Sequence, residues 1–193
     1  MKEMLEFLYA VFPLSEDLNV HLQEIVKFRE IRKKDYLLKA GHVSRNIYFI
    51  QSGLLRCFYL KGENEICSWF MKERDMIVSI ESFYDQKKSY EYIQALEDCE
   101  LFYIGHDELE SIYKRYMEFN VIGRQLTIEY FKRWARQLYA IRMQSAEERY
   151  HWLITHDPEL ILRVPAKFIA SYLDISEVTL SKIKGSLQKK RKQ

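Results

Sequence analysis

The sequence predicts an α+β chain in three parts: an N-terminal β-roll (a double-stranded β-helix), a long helix and a C-terminal helix-turn-helix. Three observations carry this. Short apolar strands broken by glycine turns crowd the segment from residue 46 to residue 104. Apolar residues at three- and four-residue spacing run through the segment that follows, and Pro165 to Leu187 repeats the helical period on both sides of a short polar interruption. At 193 residues and 48% hydrophobic content, the chain has the apolar side chains for one or two domains with buried cores. It has no run of eighteen apolar residues and no basic-then-apolar leader, so neither a membrane span nor secretion is expected and the location reads as cytoplasmic.

Met4, Leu5, Leu8, Val11 and Phe12 give a short amphipathic helix, and Ser15 is placed to cap a second through Leu18, Leu22 and Ile25. After Lys33-Lys34 the rhythm turns to strands. Residues 46–50, a turn at Gln51-Ser52-Gly53, residues 54–60, a second turn at 61–64 and residues 66–70 read as two successive strand-turn-strand units. Further strands are expected at 76–80, 90–96 and 100–104. Strands this short and regularly spaced suggest a barrel or double-sheet roll of about 75 residues.

His106-Asp107 opens a long helical region that runs to Met143, with a dip expected near Phe119-Asn120. Within it Phe131, Trp134, Leu138 and Ile141 are spaced three, four and three apart, the spacing of a coiled-coil seam. The alternative is that this stripe packs on the chain's own roll. Ser145-Ala146-Glu147-Glu148 has the form of a capping box and starts a helix through Tyr150, Leu153 and Ile154 that ends at Asp157-Pro158. Three regions are therefore expected: 1–106, 107–144 and 145–193.

In the last region Phe168, Ile169, Tyr172 and Leu173 keep helical spacing, Asp174-Ile175-Ser176 interrupts, and Leu180, Ile183 and Leu187 resume it. Pro165 suits a first helical position, Ser176 suits a cap, Ala170 is small where two helices must approach, and Asp174 stands where a turn favours positive φ. From Arg163 onward there are eight cations and two anions, a net of +6, which leaves −4 on the rest of a chain of net charge +2. A module that neutralises phosphates concentrates charge in this way. Set against that, a helical hairpin that merely packs on its domain, with Lys189 to Lys192 as a solvated tail, explains each feature singly.

Roll, long helix and helix-turn-helix in this order resemble the Crp/Fnr family of bacterial transcription regulators over nearly the whole chain. Ile47 to Arg56 looks like the family's roll hairpin, Glu97 to Ile104 like the strand that leads into its dimer helix, and Ile169 to Leu187 like its winged-helix-like helix-turn-helix. The resemblance implies a roll that acts as a ligand sensor and a homodimer formed through the long helix. It also implies two recognition helices in successive major grooves of double-stranded DNA, with RNA polymerase and a small-molecule effector as further partners. Carried onto this sequence, the DNA contacts fall on Ser176, Glu177, Val178, Thr179, Ser181, Lys182 and Lys184, with Lys167 on the preceding helix. Ser176 and Thr179 suit phosphate contacts, whereas Leu180 and Ile183 face the core.

The sequence departs from the family at both ends of that mechanism. Members that bind cyclic nucleotides carry a Gly-Glu pair, the Glu on the ribose, and an Arg-Ser pair on the cyclic phosphate. Here Val78-Ser79 and Ser89-Tyr90 stand at those positions. Without the arginine a buried cyclic phosphate loses a charge-assisted bidentate contact, so no cyclic-nucleotide binding is expected. A register slip that brings in Lys87 or Lys88 keeps an anionic ligand open as an alternative. Trp69 and Tyr92 join Tyr90 in an aromatic group around the cassette, suited either to core packing or to an apolar, planar ligand. On the recognition helix the family's Arg-Glu pair and later Arg are replaced by Glu177-Val178 and Lys182, which implies a different target sequence. Glu177 suits a cytosine amine, Val178 a thymine methyl, and Lys182 a guanine or a phosphate.

No catalytic or metal constellation emerges. Cys57, Cys67 and Cys99 are odd in number, widely spaced and without a Cys-x-x-Cys pair, which points to a reducing compartment and small core residues. The five histidines form no His-x-His pair of the kind a metal-dependent cupin uses, and no cofactor is implied. Gly-rich phosphate loops and a Gly-x-Ser-x-Gly elbow are missing from the sequence, so an enzyme is not expected. The remaining alternative to a regulator is a ligand-binding or scaffold protein whose helix-turn-helix has lost specific DNA binding.

Overall fold

The computed structural model describes residues 1–190 and the side chains of residues 1–187. The cationic run Lys189 to Lys192 therefore lies outside the described side chains. The chain divides into two compact units: Met1–Tyr59 with Trp69–Tyr130, and Leu60–Ser68 with Phe131 onward.

The first unit begins with α1 (Lys2–Val11) and α2 (Glu16–Ile25), where Ser15 Oγ accepts from the Leu18 amide at 3.3 Å and closes the start of α2. The strands follow as β1 (Lys27–Ile31), β2 (Tyr36–Leu38), β3 (Asn46–Ser52), β4 (Leu55–Lys61), β5 (Asn64–Met71) and β6 (Met76–Ile77), and after a short helix α3 (Ile80–Asp85) come β7 (Tyr92–Ala95) and β8 (Cys99–Gly105). They form two four-stranded antiparallel sheets, ordered β1-β8-β3-β6 and β2-β7-β4-β5, the double-sheet roll that the strand spacing predicts. Ile50, Leu55, Cys57, Ile93, Ala95 and Leu101 fill the space between them. A second cluster, including Met4, Leu8, Leu18, Leu22, Phe49, Phe83 and Ile112, seats α1 and α2 on the roll.

Two differences from the sequence expectations have local causes. Residues 76–80 read as one strand, but pairing stops at Ile77 and a helical turn begins at Ile80. That turn buries Ser82 and Phe83, and the Ser82 hydroxyl accepts from the Ser44 amide at 2.9 Å and donates to the Lys87 carbonyl. The sequence also gives no sign of β1, because four of its five side chains are exposed and the strand is held by main-chain pairing to β8.

The helical region opens with α4 (His106–Arg115), breaks at an extended Tyr116, and continues as α5 (Met117–Met143). The break falls three residues before the expected dip, and Asn120 stabilises it by donating to the carbonyls of Tyr113 at 2.6 Å and Tyr116 at 3.2 Å. No helix among the described residues is long and apolar enough to cross a membrane.

In the second unit the tip of the β4–β5 hairpin joins the C-terminal helices. Those helices are α6 (Ala146–His156), α7 (Pro158–Arg163), α8 (Ala166–Tyr172) and α9 (Glu177–Lys190). Ser145 and Glu148 form the expected capping box, with the Ser145 amide donating to Glu148 at 2.7 Å. Tyr150, Leu153, Leu160, Val164, Ile169, Ala170, Leu173, Leu180 and Ile183 are buried. The Ser171 hydroxyl fastens the hairpin tip, accepting from the Cys67 amide and donating to the Glu65 carbonyl, both at 2.9 Å.

Candidate functional site

Helix α8, the four residues Leu173 to Ser176 and α9 form the helix-turn-helix. Pro165 stands one residue earlier than expected, as the residue before the first helical turn. The turn is left-handed at Asp174, φ 53°, which an aspartate tolerates better than most side chains. The Ile175 amide donates back to the Ala170 carbonyl at 3.0 Å, and the Ser176 hydroxyl accepts from the Thr179 amide at 3.0 Å to cap α9. Ser176 and Thr179 also bond each other through their hydroxyls at 2.8 Å.

This geometry sorts the side chains of α9 into two faces. Leu180 and Ile183 turn into the core of the unit. Ser176, Glu177, Val178, Ser181 and Lys182 are exposed, while Thr179 and Lys184 are half-buried. An isolated valine 64% exposed at the start of a helix has no packing role to explain it. Lys167, exposed on α8, lies with its ammonium 4.6 Å from the centre of the Phe168 ring.

Arg149 was not legible as a functional residue, and its side chain joins two helix ends in this unit. Its guanidinium donates to the main-chain carbonyls of Gln144 at 2.7 Å, Leu173 at 2.9 Å, Ile141 at 3.3 Å and Asp174 at 3.4 Å. A weak signal exists in the sequence. A cation directly after Glu147-Glu148 near a helix start runs against the helix dipole, which favours anions there, so its partners must lie elsewhere.

On α5, Phe131, Trp134 and Leu138 are 64%, 49% and 38% exposed, and Ile141 is half-buried. Phe131 and Trp134 stack on each other with ring centres 5.9 Å apart. Tyr139 and Met143 add exposed apolar surface to the same helix.

In the roll, Ser79 and Ser89 are both buried, and their hydroxyls lie 3.1 Å apart. Ser89 Oγ also accepts from the Glu91 amide at 2.8 Å, and the main chain of Ser89 pairs with Gly41 and His42. Val78 is half-buried in the helix-facing core. Tyr90 is 61% exposed and stacks on Tyr59 at 5.6 Å, while Tyr92 stacks on Phe58 at 4.9 Å and Trp69 packs against the inter-sheet core. The Lys87 ammonium is 2.9 Å from Asp85, whose hydrogen bond and charge hold its pKa above the usual lysine value.

The roll also contains a cation that sequence reading passed over. Arg56, 2% exposed, donates from Nε and Nη2 to Gln94 Oε1 at 3.0 and 2.6 Å and stacks on the Phe58 ring at 4.1 Å. The three cysteines are reduced and buried, and desolvation pushes the Cys99 thiol up to about 11. Among the described residues no group of three or more His, Cys, Asp or Glu side chains is placed to hold a metal ion.

Residues 28–116 match the family model of the cyclic nucleotide-binding domain. Among solved structures, FixK2 from Bradyrhizobium japonicum superposes with a TM-score of 0.73 at 15% identity, covering 86% of each chain. A CooA mutant from Carboxydothermus hydrogenoformans gives 0.72 at 16% identity, covering 94% of this chain and 84% of that one. A chain from Eubacterium rectale described as a transcriptional regulator of the Crp/Fnr family gives 0.69 at 17% identity, over 94% and 88% of the two chains. Comparison with curated proteins finds no sequence match.

Proposed function

From a chain with a cyclic nucleotide-binding domain at residues 28–116 and the fold of the Crp/Fnr regulators, we propose a cytoplasmic, non-enzymatic transcription regulator that binds double-stranded DNA as a homodimer. One observation carries the reading: α9 presents Ser176, Glu177, Val178, Ser181 and Lys182 outward while Leu180 and Ile183 anchor it from behind. A helix anchored on one face, with small polar, apolar and cationic side chains on the other, has the form of an element that enters a major groove. Thr179 and Lys184 flank that face, and Lys167 adds a cation from α8.

The exposed Phe131, Trp134 and Leu138 support a second copy of α5 as the partner, since a large apolar stripe on a soluble chain calls for cover. Cyclic AMP is not the signal in this reading. The two positions that would meet ribose and phosphate are small, uncharged hydroxyls bonded to one another. The roll's aromatic residues Trp69, Tyr90 and Tyr92 are the candidates for contact with another effector.

Selection of bound fragments from random duplex DNA, followed by mobility shifts on the selected site, tests the reading. The expected site is a palindrome with half-sites about one helical turn apart. Lys182→Ala is expected to weaken binding to it by about 1–2 kcal/mol, with most of the loss at one base position if the contact is to a base. Unchanged affinity for the selected site in Lys182→Ala would count against the placement of α9. Retention on DNA that shows no steep salt dependence would count against DNA binding altogether.

A further inference from the structure

Four main-chain carbonyls converge on one guanidinium at the junction between the long helix and the helix-turn-helix. Arg149 Nη1 donates to Gln144 and Ile141 at 2.7 and 3.3 Å, at the C-terminal end of α5. Its Nε donates to Leu173 at 2.9 Å and its Nη2 to Asp174 at 3.4 Å, at the end of α8 and on the left-handed turn itself. The last carbonyls of a helix have no partner within it and carry the negative end of its dipole. Arg149 therefore satisfies two such ends at once, in a place where the α5 carbonyls and the α8 turn would otherwise face each other with like polarity.

The shape of the group matters as much as its charge. A guanidinium is a rigid planar fork with five donors, whereas an ammonium is a point charge on a flexible stem. Only the fork reaches carbonyls on opposite sides in fixed directions. The turn it grips sets the direction in which α9 leaves, because Asp174, φ 53°, lies two residues before Ser176, whose hydroxyl caps α9 by accepting from the Thr179 amide.

We propose that Arg149 is a positioning residue that fixes the direction of α9 relative to α5, and thereby the half-site spacing the dimer accepts. The proposal rests on the DNA-reading function above. Two recognition helices must reach major-groove faces about one turn apart. A tilt at each junction is repeated by the two-fold axis, so a small error in one protomer appears twice in the pair. Loss of Arg149 would then relax spacing and weaken specific binding, while phosphate contacts to arbitrary DNA persist.

The test compares the full chain with Arg149→Lys and Arg149→Gln in three measurements: selection from random DNA, affinity for unselected DNA across a salt series, and hydrogen exchange of the amides of residues 173–179. Both variants are expected to bind unselected DNA within about twofold of the unsubstituted chain with the same salt slope. Each should lose roughly tenfold or more in affinity for the selected palindrome and accept half-site spacings that the unsubstituted chain rejects. Amides 173–179 should exchange about tenfold faster while those of the roll are unchanged. Arg149→Lys keeps the charge, so it separates the fork from the cation, and it serves alone if Arg149→Gln does not fold. Unaltered spacing and affinity in Arg149→Lys overturn the proposal. If the unsubstituted chain selects no sequence, the DNA-reading function fails instead and exchange decides: parent-like protection at 173–179 overturns the role of Arg149, and faster exchange confined there supports it.

Discussion

Ser79 and Ser89 hold each other across the cassette at 3.1 Å, both nearly inaccessible to solvent. A cyclic phosphate placed there would have to break that bond and give up its own hydration without a guanidinium to receive it. Hydrogen bonds to charged groups contribute about 1.5–3 kcal/mol each, so a bidentate arginine is a large loss. Calorimetric titration with cyclic AMP and with cyclic GMP is therefore expected to show no binding, and micromolar affinity for either would sink the claim. Lys87 is a poor substitute, because it is exposed and its ammonium is engaged by Asp85. Tyr90, 61% exposed and stacked on Tyr59, does not fill the space beside the two serines. At this scale the local chemistry of the helix-turn-helix was readable from residue types alone: Ser176 as cap, Asp174 as the left-handed residue, Leu180 and Ile183 as the inner face. Arg149, Arg56 and Ser171 were not, because their partners are main-chain or amide groups at positions that no short spacing predicts.

Helix starts in this chain are secured by carboxylates, and this gives the elements a shared pH dependence. The Ser145 amide and hydroxyl donate to Glu148 and hold its carboxyl below the usual range. Glu108 is lowered by the Lys27 ammonium, 2.7 Å away, and by the Gly105 amide that it caps. Glu118 is lowered by the Ser15 hydroxyl. A group whose folded pKa lies below its unfolded value stabilises fully above the unfolded value, near pH 4 for glutamate, and that contribution disappears as pH falls through the folded one. The melting temperature is thus expected to decline as pH is lowered from about 5 to 3, and Glu108→Gln to show a shallower decline. An equal decline in Glu108→Gln would remove that cap from the account. These contributions are small individually, since Glu148 is exposed, Glu108 and Glu118 are only part-buried, and solvent screens all three. The apolar period gave the helices themselves, but the short α3 and the edge strand β1 escaped it, one being too short to show a period and the other nearly all exposed.

At the scale of the molecule, the stripe Phe131, Trp134 and Leu138 stands open on α5. If it is the dimer seam, Leu138→Glu places two carboxylates against each other across the two-fold axis, in an interface where burial of a charge costs several kcal/mol. Sedimentation at micromolar concentration is expected to show a dimer for the unsubstituted chain and a monomer for Leu138→Glu, with loss of palindrome binding in parallel. A monomeric unsubstituted chain would sink the seam. Sequence by itself determined the order of the parts, the strand-and-turn rhythm of the roll, the capping of α2, α6 and α9, and the handedness of the turn at Asp174. All of these follow from contacts within a few residues along the chain, where side-chain type and backbone preference act directly. Only the tertiary structure decided that residues 60–68 pack with the C-terminal helices, that Ser79 closes on Ser89, and that Arg149 joins the ends of α5 and α8. Each of those depends on groups brought together by folding, and a hydrogen bond to a carbonyl leaves no mark on the residue that supplies it, since every residue has one.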